Sequence, residues 1–476
     1  MRYLLLIPGV LVLLVLIAVV RTLLSPKKTS DYRPQENEQE ALRLAEKLSR
    51  MIQIDTTSHA GGDDPEKFRA FHKTLAELFP LVFSKLEKTE IDGNLLFYWK
   101  GRSSEKPILL MSHQDVVPAE GEWLHAPFSG DIADGKVWGR GASDTKCSVM
   151  AFFEAVEQLL AEDFTPPTDV YLASSCTEEW AGDGAPKLVK ELQRRGVELF
   201  LLCDEGGGII SEPIGGIPGN FAMVGVFEKG KADVKFTAKS TGGHASAPGK
   251  HTPIARLAAF VNEAETHSPF KKKLLPEVAA MFRTLSGYAS SFGLRLLLGN
   301  LWLFSPLLKA VLPAVSAQAG AMLKTTIAFT TQSGSDAYNV IPQEATLGAN
   351  MRFIPHQGEQ ESLAIIRKLA EKHGLSTEVL HSNDFTPPVD IHGEAFTLFT
   401  RVISETFPGL AASPYVMTGA TDAQFYQPVC KSCIRFAPVI YGPEQMKGMH
   451  GLNENIEYNC LPGAVRFYQN LIRAEK

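Results

Sequence analysis

At 476 residues, 45% of them hydrophobic and 21% charged, the chain has the make-up of a folded protein with room for one large domain plus a smaller one, enough to bury a catalytic site. Its 47 Lys and Arg against 53 Asp and Glu give a net charge of -6 with no long block of like charge, which argues against a nucleic-acid partner. Six cysteines are too few for a disulfide scaffold at this length, and Cys430 with Cys433 has no second pair nearby to complete a structural zinc site.

Residues 3–20 are almost unbroken Leu, Val, Ile and Ala between Arg2 and Arg21, close to the ~20 apolar residues that a membrane-spanning helix needs. No small-residue cleavage pattern follows, and the segment has no polar face, so a single-pass anchor over residues 1–24 is expected ahead of a cleaved signal peptide or a core helix. Residues 25–37 are polar, contain Pro26 and Pro34, and read as a linker. More Lys and Arg follow the helix than precede it, which by the positive-inside rule would keep the body cytoplasmic.

A first catalytic segment is expected over residues 38–220. Apolar positions at helical spacing predict helices over residues 38–54 and 68–79, and then the pattern changes. Strands are predicted at 94–100, 107–112, 169–175 and 199–203, with helices at 148–160 and 184–195 between them. Strands alternating with helices predict an α/β fold whose functional groups gather beyond the carboxyl ends of the strands. The polar residues sit there. His113 and Asp115 follow one strand, Glu178 and Glu179 another, Asp204 and Glu205 a third, and Asp144 lies in a Gly-rich turn just before a helix. Acids packed this closely repel one another unless a cation neutralises them.

Imidazole and carboxylate donors without thiolate suit zinc, manganese or cobalt, and a bridging carboxylate is the usual way to hold two ions ~3.5–4 Å apart. Such a pair polarises an amide carbonyl and lowers the pKa of water. A nearby carboxylate that binds no metal is then needed to move the proton, and adjacent Glu178 and Glu179 offer one residue for each task. A lone His-x-Asp or a pair of glutamates is more often a surface feature, so the argument rests on their joint placement after successive strands.

The motifs Ser112-His-Gln-Asp115, Gly139-Arg-Gly-Ala-Ser-Asp-Thr-Lys146, Thr177-Glu-Glu-Trp-Ala-Gly182, Asp204-Glu-Gly-Gly207, Gly242-Gly-His-Ala-Ser-Ala-Pro248, Asn339-Val-Ile-Pro342, Asn350-Met-Arg-Phe-Ile-Pro355, Gly419-Ala-Thr-Asp422 and His450-Gly-Leu-Asn-Glu454 resemble, in order, those of M20 metallopeptidases. The resemblance implies two zinc ions, one held by His113, Asp144 and Asp204 and the other by Asp144, Glu179 and His450, with Asp144 bridging. It further implies that Asp115 orients His113, that Glu178 is the general base, and that His244 stabilises the oxyanion from the neighbouring subunit of a homodimer. Asn339, Arg352 and Gly419 would bind the substrate, Arg352 because its fork matches a carboxylate. Two positions depart from the pattern. Cys147 stands where the family usually has Gly, and Ala420 interrupts the usual Gly-Gly turn.

Residues 221–383 change texture again, reading as strand, helix, two strands, helix and strand, which fits a ferredoxin-like unit. The resemblance implies a dimerisation lid inserted in a catalytic domain that resumes over residues 384–476. An apolar helical insertion over residues 274–322 is read as buried at a domain or dimer interface, or as touching an acyl chain or the membrane beside the anchor. A similar insertion characterises the branch of carboxypeptidase S and the N-fatty-acyl-amino-acid enzymes, whose members act outside the cytosol. That shifts the expected body to the extracytoplasmic side. The expected activity is hydrolysis of a peptide or N-acyl amide bond next to a free carboxylate. A dipeptidase or aminoacylase of other specificity, and a membrane-tethered binding protein on a retired enzyme scaffold, are the alternatives.

Overall fold

The computed structural model describes residues 2–34, 37–61 and 65–475, with the side chains of all of these except 2–8, 65 and 315. Its central sheet has eight strands in the order Glu87–Ile91, Asn94–Trp99, Thr168–Ser174, Ser103–Met111, Leu201–Ser211, Cys433–Tyr441, Asn220–Glu228 and Ala411–Met417. The sheet is mixed. Ser103–Met111 runs parallel to both Thr168–Ser174 and Leu201–Ser211, whereas Asn94–Trp99 is antiparallel to Thr168–Ser174.

Side chains alternate between the faces of a strand, and both faces here are apolar. Ile108 and Leu110 join one cluster with residues of helices Glu38–Ile52, Lys146–Ala161 and Leu461–Arg473, while Leu109 and Met111 join a second with helix Gly184–Arg194. Helices therefore cover both faces. Glu38–Ile52 forms because Asn37 caps it, accepting a 3.3 Å hydrogen bond from the Glu40 amide, and because Ala41, Leu44, Ala45, Leu48 and Ile52 make one buried stripe. Lys146–Ala161 is buried on almost every side, and the Phe153 ring lies 5.5 Å from both Phe79 and Phe97.

A second sheet is antiparallel throughout, in the order Thr326–Ser333, Glu344–Phe353, Gly230–Lys239 and Ser376–Asn383. The helices Pro253–Thr266 and Glu359–Lys372 share an apolar core with it that includes Phe236, Phe260, Met351 and Ile366. Its first strand in the chain lies between the fourth and the third, which is the ferredoxin-like arrangement. One residue joins the two sheets: Glu228 ends a strand of the first and Gly230 starts a strand of the second. Lys229 between them is buried and donates from Nζ to the carbonyls of Ala321 and Lys324, both at 2.9 Å. Burial, with Arg352 and Lys324 nearby, pulls its pKa down to about 7.

Ala321 belongs to the apolar insertion, which folds as helices Pro276–Ser286, Phe292–Gly299, Leu301–Val315 and Ala317–Ala321. Although it interrupts the ferredoxin-like unit in the chain, it packs elsewhere. Pro276–Ser286 lies along Ala411–Met417, the edge strand of the large sheet, and the next two helices lie against the N-terminal helix Arg2–Leu24. The expected membrane-spanning anchor is not supported. Among the described residues no single helix is long and apolar enough to cross a membrane, the apolar part of the first one counting from Gly9 to Leu24. Phe292–Gly299 and Leu301–Ala314, bent by 108°, pass the test of length and composition only as a pair.

Phe153 is where helix and sheet meet, so Phe153→Ala is expected to cost about 3–5 kcal/mol, read as a lower urea midpoint for the whole chain.

Candidate metal centre

The strand Ser103–Met111 gives way to the polar run Ser112-His-Gln-Asp115, in which His113 and Asp115 are both buried. His113 bonds through Nδ1 to the Asp115 carbonyl at 2.9 Å, which fixes the ring and aims Nε2 at Asp144 Oδ1, 3.2 Å away. The Asp115 carboxylate accepts from Ser58 Oγ at 2.6 Å and from the amides of Glu178 and Glu179 at 3.2 Å each. A single buried carboxylate thus supports the histidine, 3.5 Å from its Nδ1, and the loop that carries both glutamates.

Asp144 sits at the end of the turn entering Lys146–Ala161. That turn is held by Glu454, whose Oε1 accepts from the amides of Ser143 (2.8 Å) and Asp144 (2.9 Å) and whose Oε2 accepts from the Gly141 amide (3.1 Å). Arg140, also buried, pairs with Glu454 Oε2 at 2.8 Å. Because Glu454 lies four residues after His450, the same carboxylate brings the His450 loop to the Asp144 turn. His450, with φ of 55°, places Nε2 2.9 Å from Asp144 Oδ2 and 3.2 Å from Glu179 Oε2.

One ligand atom each from His113, Asp144 and Glu179 lies within 4.8 Å of the other two. Asp204 is not one of those three, and its oxygens accept from the amides of Glu205 (2.8 Å) and Ala423 (2.9 Å). It lies within a strand and not beyond one, because Leu201–Ser211 continues through Asp204 and Glu205. The reason is Gly207: a Cβ there would collide with the carbonyls of Arg435 and Met223, so only glycine lets the neighbouring strands pass this closely.

The electrostatics are those of acids crowded in a dry site. Burial raises the pKa of Glu178, with Asp422, Glu205 and Glu179 adding to it and His113 opposing it. Burial likewise raises Glu179 and Glu205, lifts Asp204 to about 6 and lifts Asp422 to about 8. For Asp144 burial acts upward too, yet hydrogen bonds to His113 and His450 outweigh it and hold this carboxyl low. His450 rises to about 10 on its bonds to Asp144 and Glu179. His113 is raised against the effect of burial by Asp115 and Asp144.

These groups fit a divalent cation. All are nitrogen or oxygen donors, and Glu179 Oε1 is buried with no hydrogen-bond partner, an orphaned acceptor of the kind a metal satisfies. Cys147, the departure from the family pattern, is buried and bonds to the Ser143 carbonyl, adding nothing to the donor set.

Of the remaining predicted residues, His244, Asn339 and Arg352 lie in the segment that carries the ferredoxin-like unit, and Gly419 follows the edge strand of the large sheet. His244 is exposed on a two-residue strand paired with Val340–Ile341, bonds to Ser246 Oγ at 2.7 Å, and is followed by Ala245, whose amide donates to the Asn339 carbonyl. Arg352 is half-buried in Glu344–Phe353, bonding through Nε to Asn350 Oδ1 at 3.0 Å. Gly419 is exposed in the turn after Ala411–Met417. That turn is tied down by Glu228, which accepts from the Thr421 amide (3.1 Å) and hydroxyl (2.5 Å) and pairs with fully buried Arg435 at 2.6 Å. The roles of Glu454, Glu228 and Arg435 escape sequence reading. Glu454 lay in a recognised motif, but its five donors come from residues more than 300 positions away.

Removing one partner of a buried ion pair leaves the other uncompensated, so Glu454→Ala is expected to destabilise the fold by about 3–5 kcal/mol, measured by urea unfolding. Stability of metal-stripped protein is expected to fall with rising pH. Asp204 and Asp422 have folded pKa values of about 6 and 8 against 3.8 for the free side chain, so what they contribute is present below pH 3.8 and lost as pH rises through 6 and 8. Thermal unfolding across that window should show the decline, and added Zn2+ should flatten it.

Residues 109–474 match the family model described as Peptidase family M20/M25/M40. The chain is 33% identical to the N-fatty-acyl-amino acid synthase/hydrolase PM20D1 of Xenopus tropicalis, covering 97% of this chain and 93% of that protein. It is 32% identical to the probable carboxypeptidase S-like 2 of Dictyostelium discoideum, covering 98% and 92%. In fold it is similar to the M20 family metallo-carboxypeptidase Sso-CP2 of Sulfolobus solfataricus, with a TM-score of 0.68 at 17% identity over 92% of this chain and 99% of that one. Donor set, sheet topology and sequence agree, and the chain belongs to the M20 family of metallopeptidases and amidohydrolases.

Proposed function

We propose that the protein hydrolyses a peptide or N-acyl amide bond next to a free α-carboxylate, using two zinc ions, for which manganese or cobalt can stand in. The observation that carries this reading is the convergence of His113, Asp144 and Glu179 beside a second, buried glutamate, Glu178. His113, Asp144 and Asp204 would hold one ion, and Asp144, Glu179 and His450 the other. When bound, the ions polarise the amide carbonyl and make water acidic enough to react near neutral pH.

The chain's own part is proton transfer and positioning. Glu178 takes the proton from water and passes it to the leaving nitrogen, and its raised pKa suits a group that must both accept and release a proton. Arg352 and Asn339 fix the substrate's carboxylate and backbone, with the Gly419 turn lining the same end. His244 serves the site of a second copy, a reading supported by its exposure on the lid next to fully exposed Tyr338 and to Val340. The similarity to PM20D1 favours N-fatty-acyl amino acids as substrates, and that to carboxypeptidase S-like 2 favours peptides. The reading extends to a catalytic body outside the cytosol with its N-terminal helix at a membrane surface, and the exposed Leu13, Leu16 and Val20 on that helix support the membrane contact.

Release of free amino acid is expected from a dipeptide or from a long-chain N-acyl amino acid, abolished by a chelator and restored by Zn2+. Glu178→Ala should lower kcat by about 10²–10⁴-fold while zinc content stays unchanged; unaltered turnover would sink the assignment. Arg352→Ala should cost about 10–100-fold in kcat/KM on the free acid, the worth of one charge-assisted hydrogen bond pair, and nothing on the C-terminal amide. Mixing inactive His244→Ala and Glu178→Ala proteins should restore activity if His244 acts across the dimer.

A further inference from the structure

The N-terminal helix and the insertion form one body. Asn300, 1% exposed, sits at the 108° bend between Phe292–Gly299 and Leu301–Val315 and donates to Thr22 Oγ1 at 3.0 Å and to the Leu296 carbonyl at 3.0 Å. Its own carbonyl accepts from Trp302 Nε1 at 3.3 Å. Arg295 donates to the Ser25 carbonyl, and the Lys28 amide bonds to the Gly287 carbonyl at 2.9 Å. The polar groups at this junction are therefore satisfied internally, as they must be away from water.

Outward, the same body is apolar. Leu13, Leu16 and Val20 on the N-terminal helix are 52–56% exposed, and Trp302, Leu307 and Val311 on Leu301–Val315 are 42–53% exposed. Exposed apolar area of this extent on two packed elements marks a binding surface. Charge selects the partner. Residues 1–30 contain four basic residues and no acid, and residues 278–335 contain another four and no acid, in a chain whose net charge is -6. Exposed apolar side chains, a tryptophan among them, on a body whose junction carries Arg21, Lys28 and Arg295 match the acyl boundary and the anionic headgroups of a bilayer.

The geometry points to a two-part lipid-docking platform in which the bent insertion, and not the N-terminal helix alone, enters the bilayer surface through Trp302, Leu307 and Val311. Membrane contact by the N-terminal helix is part of the preceding reading, and the test separates the two. Full-length protein is reconstituted with vesicles of phosphatidylcholine and phosphatidylglycerol whose acyl chains are brominated, and tryptophan fluorescence is compared for wild type and Trp302→Phe. Bromolipid should quench a fraction of the emission that Trp302→Phe lacks. Leu307→Glu with Val311→Glu should abolish that quenching while cleavage of a short soluble dipeptide is retained. Equal bromolipid quenching in wild type and Trp302→Phe overturns the platform, as does a Trp302 emission quenched by aqueous acrylamide alone or shielded from both quenchers, the last being the sign of a protein partner. Protein that floats with vesicles without Trp302 quenching keeps the N-terminal contact and loses the platform. Protein that does not float loses both.

Discussion

Carboxyl groups of Asp144, Glu178, Glu179, Asp204, Glu205 and Asp422 are gathered at one end of a buried sheet, and everything around them answers the repulsion this creates. In metal-free protein the answer is protons: five of these acids are pushed upward by burial, and His113 and His450 are favoured in the cationic form by Asp144 and its neighbours. A divalent cation answers the same repulsion with fixed positive charge, freeing the histidine nitrogens to act as donors to it. The fold has to keep the acids close without that help during assembly. It does so with backbone amides, which point at Asp115, Asp204 and Glu454 from four separate segments.

That arrangement explains which parts of the centre were legible in the sequence. His113, Asp115, Glu178 and Glu179 follow strands whose apolar runs are local and unmistakable, so their place at the sheet's end could be read directly. Asp204 directly follows the apolar run 199–203, which by itself reads as a strand that ends before it. In fact the strand runs on, with glycine at 207 required by two neighbouring strands, Cys433–Tyr441 and Asn220–Glu228, that arrive from far along the chain. The pairing of distant segments leaves no local periodicity, which is also why the edge strand Ala411–Met417 and the Glu454 hub were not foreseen.

The insertion taught a similar lesson. Its apolar composition was plain, but its place was not, because chain order puts it in the small ferredoxin-like unit while packing puts it on the large sheet. Buried Asn300 and Thr22 also tie the insertion to the N-terminal helix through one hydrogen bond between residues 278 positions apart. The N-terminal helix read from composition as a free-standing span. In the structure it shares one side, through Ala18 and Thr22, with the rest of the protein.

Lys229 has a mechanical meaning beyond its hydrogen bonds. It is the single residue between the two sheets, and its ammonium is fastened to carbonyls of Ala321 and Lys324 just where the insertion returns to the small sheet. On its other side Glu228 grips Thr421 and Arg435. The segment through which the insertion returns to the small sheet and the turn that follows the edge strand of the large one are thus fastened to adjacent residues, so the one-residue link between the sheets carries contacts from both.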